Sequence, residues 1–124
     1  MAAAVGLIRS GASLTRVMNC ASTLASGDLV YQSLTIDNHA VKATDNNTTK
    51  PVVGLVVGKP TSTTALVLFM GVTSYTVNRG KIYVSETGTV TNAAPTTGHL
   101  HPIGESFGDG KIFFKPDNFR IKRS

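Results

Sequence analysis

The feature that most constrains this 124-residue chain is the spacing of its apolar residues. They come in short runs rich in Val, Ile and Leu, and each run is bounded by Gly, Asn, Asp or Pro. Runs this short do not make amphipathic helices; their residue types and their boundaries are those of strands. Strands are expected at residues 29–32 after the Gly27-Asp28 turn, at 34–36, and at 39–43 after the Asp37-Asn38 turn. Others are expected at 52–57, 65–72, 81–85, 89–91, 103–107, 112–114 and 119–122. The run at 65–72 is the most apolar and is expected at the centre of the core. Gly58-Lys59-Pro60 reads as a boundary, residues 92–101 as a loop, and Gly88 as the turn of a hairpin.

Residues 13–25 read two ways. Leu14, Val17, Met18, Ala21 and Leu24 fit a helical stripe with Ser13 as cap and Gly27 as stop. That helix would lack an acidic first turn and would contain Thr, Asn, Cys and Ser, all mediocre helix formers. A strand followed by a small-residue loop at 21–26 is the better reading. Residues 1–12 show no periodicity and read as an extended arm. The expected architecture is therefore all-β: an arm at 1–12 and, over 13–124, one small β-barrel or β-tulip domain of nine to ten short strands.

Composition agrees. Charged residues are 15% of the chain and aromatics 6%, while Thr and Ser together number 26 and Gly 12. Such a balance argues against a helical bundle and against a disordered tail. Cys20 stands alone, which excludes an internal disulfide and a cysteine-based zinc site; its expected role is that of a small buried filler. No apolar stretch approaches the roughly 20 residues of a membrane helix. The start of the chain lacks the basic region of a signal peptide, so synthesis in a cytoplasm is expected.

A weak internal echo runs through the pattern. Gly27-Asp28-Leu29-Val30-Tyr31 resembles Gly80-Lys81-Ile82-Tyr83, and Val53-Gly54 with Gly58 resembles Ile103-Gly104 with Gly108. Patterns of this kind recur in any all-β chain; a true echo would make two related half-units.

Chemistry is sparse. Gly104-Glu105-Ser106-Phe107-Gly108 spells the nucleophile-elbow motif G-x-S-x-G. That motif needs a helix after the serine and a later histidine, whereas a turn and a strand follow Ser106 and all three histidines precede it. His99 and His101 share one face of an extended segment but lack a convincing third ligand, and with Pro102 they read as an exposed loop. The Asp45-Asn46-Asn47 loop begins like a calcium loop, yet Lys50 and Val56 stand where Gly and Glu are required. Among seven acidic residues no close carboxylate pair is evident. Catalytic residues, metal ligands and cofactor-binding residues are all expected to be absent, and a binding or structural role is favoured over an enzyme.

The formal charge is +5, and five of the twelve bases fall in the last fourteen residues. Interleaved with Phe113, Phe114 and Phe119, they form a pattern that a single-strand platform would use. Phe119-Arg120-Ile121-Lys122 equally alternates as a one-sided strand does. So few aromatics are needed for the core, and the residues weigh against nucleic acid as the partner.

The order of segments resembles a known family. A strand at Leu14-Thr15-Arg16-Val17 leads to Leu24-Ala25-Ser26-Gly27-Asp28-Leu29-Val30, then to Val53-Gly54-Leu55-Val56. The run from Ala65 to Val72, the Gly80-Lys81-Ile82-Tyr83-Val84 hairpin with Thr87-Gly88-Thr89, and Pro102-Ile103-Gly104 before a closing strand complete it. Over residues 13–123 this resembles the capsid cement, or head-decoration, proteins of tailed bacteriophages; the 92–101 loop and the basic tail are departures. The resemblance implies a structural virion protein on the outer capsid surface that binds the major capsid protein and stabilises the expanded head. It also implies neighbouring copies of itself, as trimers or dimers, and no membrane or cofactor. The expected contact residues are Ala2, Val5, Leu7, Ile8 and Arg9 of the arm with Arg120, Lys122 and Arg123 of the basic edge, the arm ordering on the shell. A tail or collar component and a small nucleic-acid-binding barrel are the alternatives.

Overall fold

The computed structural model describes residues 13–43, 52–85, 87–94, 98–116 and 121–123. Those residues form eleven short strands and no helix: β1 Leu14–Cys20, β2 Leu29–Gln32, β3 His39–Lys42, β4 Gly54–Thr61, β5 Thr64–Ser74, β6 Gly80–Val84, β7 Val90–Thr91, β8 Gly98–Leu100, β9 Pro102–Ser106, β10 Lys111–Phe114 and β11 Ile121–Arg123. The chain is all-β, as the spacing of its apolar runs predicts. Residues 14–20 take the strand option over the helical one.

Nine strands form one sheet in the order β1-β3-β2-β4-β5-β10-β9-β6-β7, and β1 also pairs with β5. Five strands, β1, β3, β2, β4 and β5, therefore close into a ring. One contact of the ring is parallel, β1 on β3, and the other four are antiparallel. The remaining four strands extend from the far half of β5, and β8 and β11 make a separate two-stranded sheet.

Two cores result. Met18, Cys20, Val30, Val56, Ala65 and Val67 fill the ring. Leu29, Leu55, Leu68, Ile82, Ile112 and Phe114 lie in a second core that the ring shares with β6, β9 and β10. Successive residues of one strand thus enter different cores: Leu29 and Val30, Leu55 and Val56, Val67 and Leu68. A strand buried on both faces reads as a continuous apolar run instead of an alternating one. Each such side chain contributes about 1.5–3 kcal/mol on burial, which is why 65–72, the most apolar run, belongs to the strand that joins both cores. Cys20 is a free, buried thiol in the ring.

The echo in the sequence has a counterpart in topology. The strand order β3-β2-β4-β5 is repeated as β7-β6-β9-β10, and the two sets meet through the antiparallel β5–β10 pair. The echoed segments fall on corresponding strands, β2 with β6 and β4 with β9. In both halves a hairpin, β2–β3 or β6–β7, is followed by a strand, β4 or β9, that pairs with the other side of the hairpin's first strand.

Two glycines change which side chains face the second core. Gly71, at φ 145°, lies within β5 beside the register shift with β1, and Leu68 before it and Tyr75 after it both pack on that core. Gly104, at φ 140°, does the same in β9, where Ile103 and Ser106 are both buried and the register with β6 slips by one residue. Such bulges need a φ that other residues adopt only under strain.

Three expectations fail. Residues 34–36 are not a strand but part of a hydrogen-bonded loop. Gly58-Lys59-Pro60 is not a boundary, because β4 runs on to Thr61. Residues 98–100, read as loop, form β8, whose backbone pairs with β11.

Candidate interaction surface

The expected contact residues Ala2, Val5, Leu7, Ile8, Arg9 and Arg120 lie outside the described residues. Lys122 and Arg123 enter the structure through their backbone alone, paired with His99 and Gly98. What the structure does place is the base of the arm. Ser13 lies against Gly71, where a Cβ would come within 2.7 Å of the Ser13 hydroxyl oxygen. Leu14 stands opposite Met70 across β1 and β5. Ser13, the first described residue, therefore lies where the ring meets the second half of the sheet.

Leu14 and Val17 of β1 and Met70 of β5 are exposed. The β2–β3 loop presents Leu34, 74% exposed, and Ile36, 54% exposed. Loop and strand are joined through Asn38: the Arg16 guanidinium Nε donates to Asn38 Oδ1 at 3.1 Å, and Asn38 Nδ2 donates to the Val17 carbonyl at 3.5 Å. A shallow depression lined by Arg16, Gln32, Asp37, Asn38 and Phe69 lies between them.

The loop is built, not slack. Ser33 Oγ accepts from the backbone amides of Thr35 at 3.2 Å and Ile36 at 3.1 Å. Gln32 Nε2 donates to the carbonyl of Ile36 at 2.6 Å and to that of Ser33 at 3.0 Å. The Ser33 amide donates to the carbonyl of His39, and Asn38 takes a positive φ of 48° that closes the turn. Side chains that satisfy backbone groups in this way hold a loop in one shape without a sheet. The apolar-polar-apolar order of Leu34, Thr35 and Ile36 resembles a strand; the sequence signal of the loop is Gln32-Ser33 ahead of it and Asp37-Asn38 behind.

The other candidate residues have structural occupations. Ser106 is buried on β9, its hydroxyl donating to the Val77 carbonyl at 2.8 Å and accepting from the Gly108 amide at 3.3 Å. It sits between a strand and a turn that leads to β10, which is not the setting of a nucleophile elbow. His101 is buried, in contrast to the exposed loop expected for it. Among the described residues no three His, Cys, Asp or Glu side chains gather as metal ligands would. Asp28 is buried; its Oδ2 accepts from the Ala25 amide at 3.0 Å, and its Oδ1 lies 3.4 Å from the Lys42 ammonium. That arrangement closes the turn before β2. Lys59 donates to the Leu24 carbonyl at 2.6 Å and fastens the same turn to β4.

The solvent face of the second half-sheet is a different surface. Lys81, Glu105, Phe113 and Val72 form one row across β6, β9, β10 and β5. Lys115 and Pro102 border it. Phe113 is half-buried here, while its neighbour Phe114 points into the core, so the two do not form a joint aromatic platform. Of the described helices and strands none is a helix long and apolar enough to cross a membrane. No protein-family model, curated protein or solved structure matches the chain.

Proposed function

We propose that this protein is a structural component of a virion: a capsid decoration protein that attaches to the outside of the major capsid protein lattice and stabilises the expanded head. The observation that carries the reading is the number of large apolar side chains left exposed on β1, β5 and the β2–β3 loop: Leu14, Val17, Met70, Leu34 and Ile36. Large apolar side chains left in solvent on a small, well-cored domain suit a protein contact. The segment order described above supplies the identity of the partner. A stiff all-β domain loses little conformational entropy on docking, and many copies on a lattice convert modest contacts into durable attachment.

The test is co-sedimentation of the purified chain with expanded shells that lack decoration. The chain pellets with the shells, and deleting residues 2–12 removes attachment while leaving the melting temperature unchanged. A wild-type chain that stays in the supernatant contradicts the proposal. The row of Lys81, Phe113 and Lys115 favours a second reading, a single-stranded nucleic acid. In that case the chain shifts short oligonucleotides, with an affinity that falls steeply as salt rises.

A further inference from the structure

We infer that Asp109, in the turn between β9 and β10, is a site of spontaneous modification: its side chain condenses with the backbone nitrogen of Gly110 to a cyclic imide, which water opens to isoaspartate. The site is independent of what the domain attaches to.

The reactive pair is set by sequence. Asp28 precedes Leu29, and Asp37, Asp45 and Asp117 each precede Asn; Asp109 alone precedes Gly, and no Asn in the chain does. Ring closure brings the side-chain carbon up to the nitrogen of the next residue, and a side chain on that residue obstructs the approach. Gly110 has none, and nothing stands within 4 Å of the place a Cβ would take.

The geometry is set by the turn. Asp109 is exposed, and its Oδ1 accepts from the Lys111 amide at 3.2 Å. A carboxyl that reaches the amide two residues on lies across the peptide between them. The carboxyl carbon of Asp109 is thus held beside the Gly110 nitrogen, in the proximity that an intramolecular reaction needs. Among the described residues no acceptor takes the Gly110 N–H. Asp28 is the opposite case. It is buried, the Ala25 amide and the Lys42 ammonium occupy its carboxylate, and the Leu29 amide donates to the Gly88 carbonyl at 2.9 Å.

The reaction balances with water alone. The Gly110 nitrogen bonds to Cγ of Asp109, and its proton leaves with the side-chain hydroxyl as one water. A second water then opens the imide. Cleavage of the new N–Cγ bond restores aspartate. Cleavage of the old peptide bond leaves the chain running through Cγ, one carbon longer, with the former main-chain carbonyl carbon as a free carboxylate. That extra carbon falls where the turn is fastened to the sheet: the Tyr75 amide donates to the Gly110 carbonyl at 2.9 Å, and the Phe107 amide to the Lys111 carbonyl at 3.1 Å.

The experiment ages the full-length chain in neutral buffer at physiological temperature, both folded and in guanidinium chloride, beside the variant Asp109→Glu, whose ring would need one more carbon. Trypsin releases residues 82–111, in which Asp109 is the single aspartate. Mass spectrometry reads the imide as the loss of one water, and electron-based fragmentation identifies isoaspartate. The folded wild type forms isoaspartate at Asp109 about tenfold faster than at any other aspartate, and at least as fast as the denatured chain does. The glutamate variant forms none at that position. Absence of isoaspartate at Asp109 in both states overturns the proposal. Formation in the denatured chain alone overturns it as well, because the fold then protects the dipeptide. In the aged fraction, hydrogen exchange at the Tyr75 and Phe107 amides accelerates; unchanged exchange there overturns the claim that the modification reaches the sheet.

Discussion

The Gln32 side-chain amide donates to the carbonyl oxygen of Ile36 at 2.6 Å, bridging the β2–β3 loop from its first flank to its most apolar stretch. Together with Ser33 it replaces the cross-strand ladder that residues 34–36 do not have.

Replacing Gln32 and Ser33 by Ala should therefore loosen the loop without unfolding the domain. Each exposed hydrogen bond contributes about 1 kcal/mol, so hydrogen exchange at the amides of Thr35 and Ile36 should accelerate about fivefold for each bond lost. The melting temperature should hardly move, since both side chains lie outside the cores. Unchanged exchange at these two amides would show that the side chains do not shape the loop.

Gly71 sits at φ 145° with Ser13 packed against it, at the point where β5 passes from the ring to the second half of the sheet. Gly71→Ala should cost about 1–3 kcal/mol, from backbone strain and from the displaced start of β1. Chemical denaturation measures this, and a midpoint equal to wild type would contradict the role assigned to the glycine.

Ser106→Ala should destabilise the domain by about 1 kcal/mol, because it leaves the part-buried Val77 carbonyl without its donor. In the wild type a fluorophosphonate probe should fail to label Ser106 in the folded state. Stoichiometric labelling there would mean that the G-x-S-x-G sequence is chemically active after all.

Much of this fold is legible in local patterns. Turn residues at Gly27-Asp28, Asp37-Asn38 and Gly88 stand at the ends of strands, and the paired runs Leu29-Val30 and Leu55-Val56 reveal strands covered on both sides. Leu34 and Ile36 mislead because alternation reports a pleat only where one face is buried; here both side chains face solvent and neighbouring polar groups set the shape. β8 is invisible because Gly98-His99-Leu100 has no period to read. The closing of the ring, β1 on β3 and on β5, joins segments distant in sequence, and no local pattern encodes that choice. Of the proposed interaction surface, the arm lies outside the described residues. Leu14, Val17 and Met70 look like core residues in the sequence, and their exposure shows only once the ring is closed.

The most direct test of the account is electron microscopy of virions labelled for this chain. The account predicts label at many repeated positions over the outer surface of the expanded head and none along the tail. Label confined to the tail or collar, or a virion without label, would contradict it.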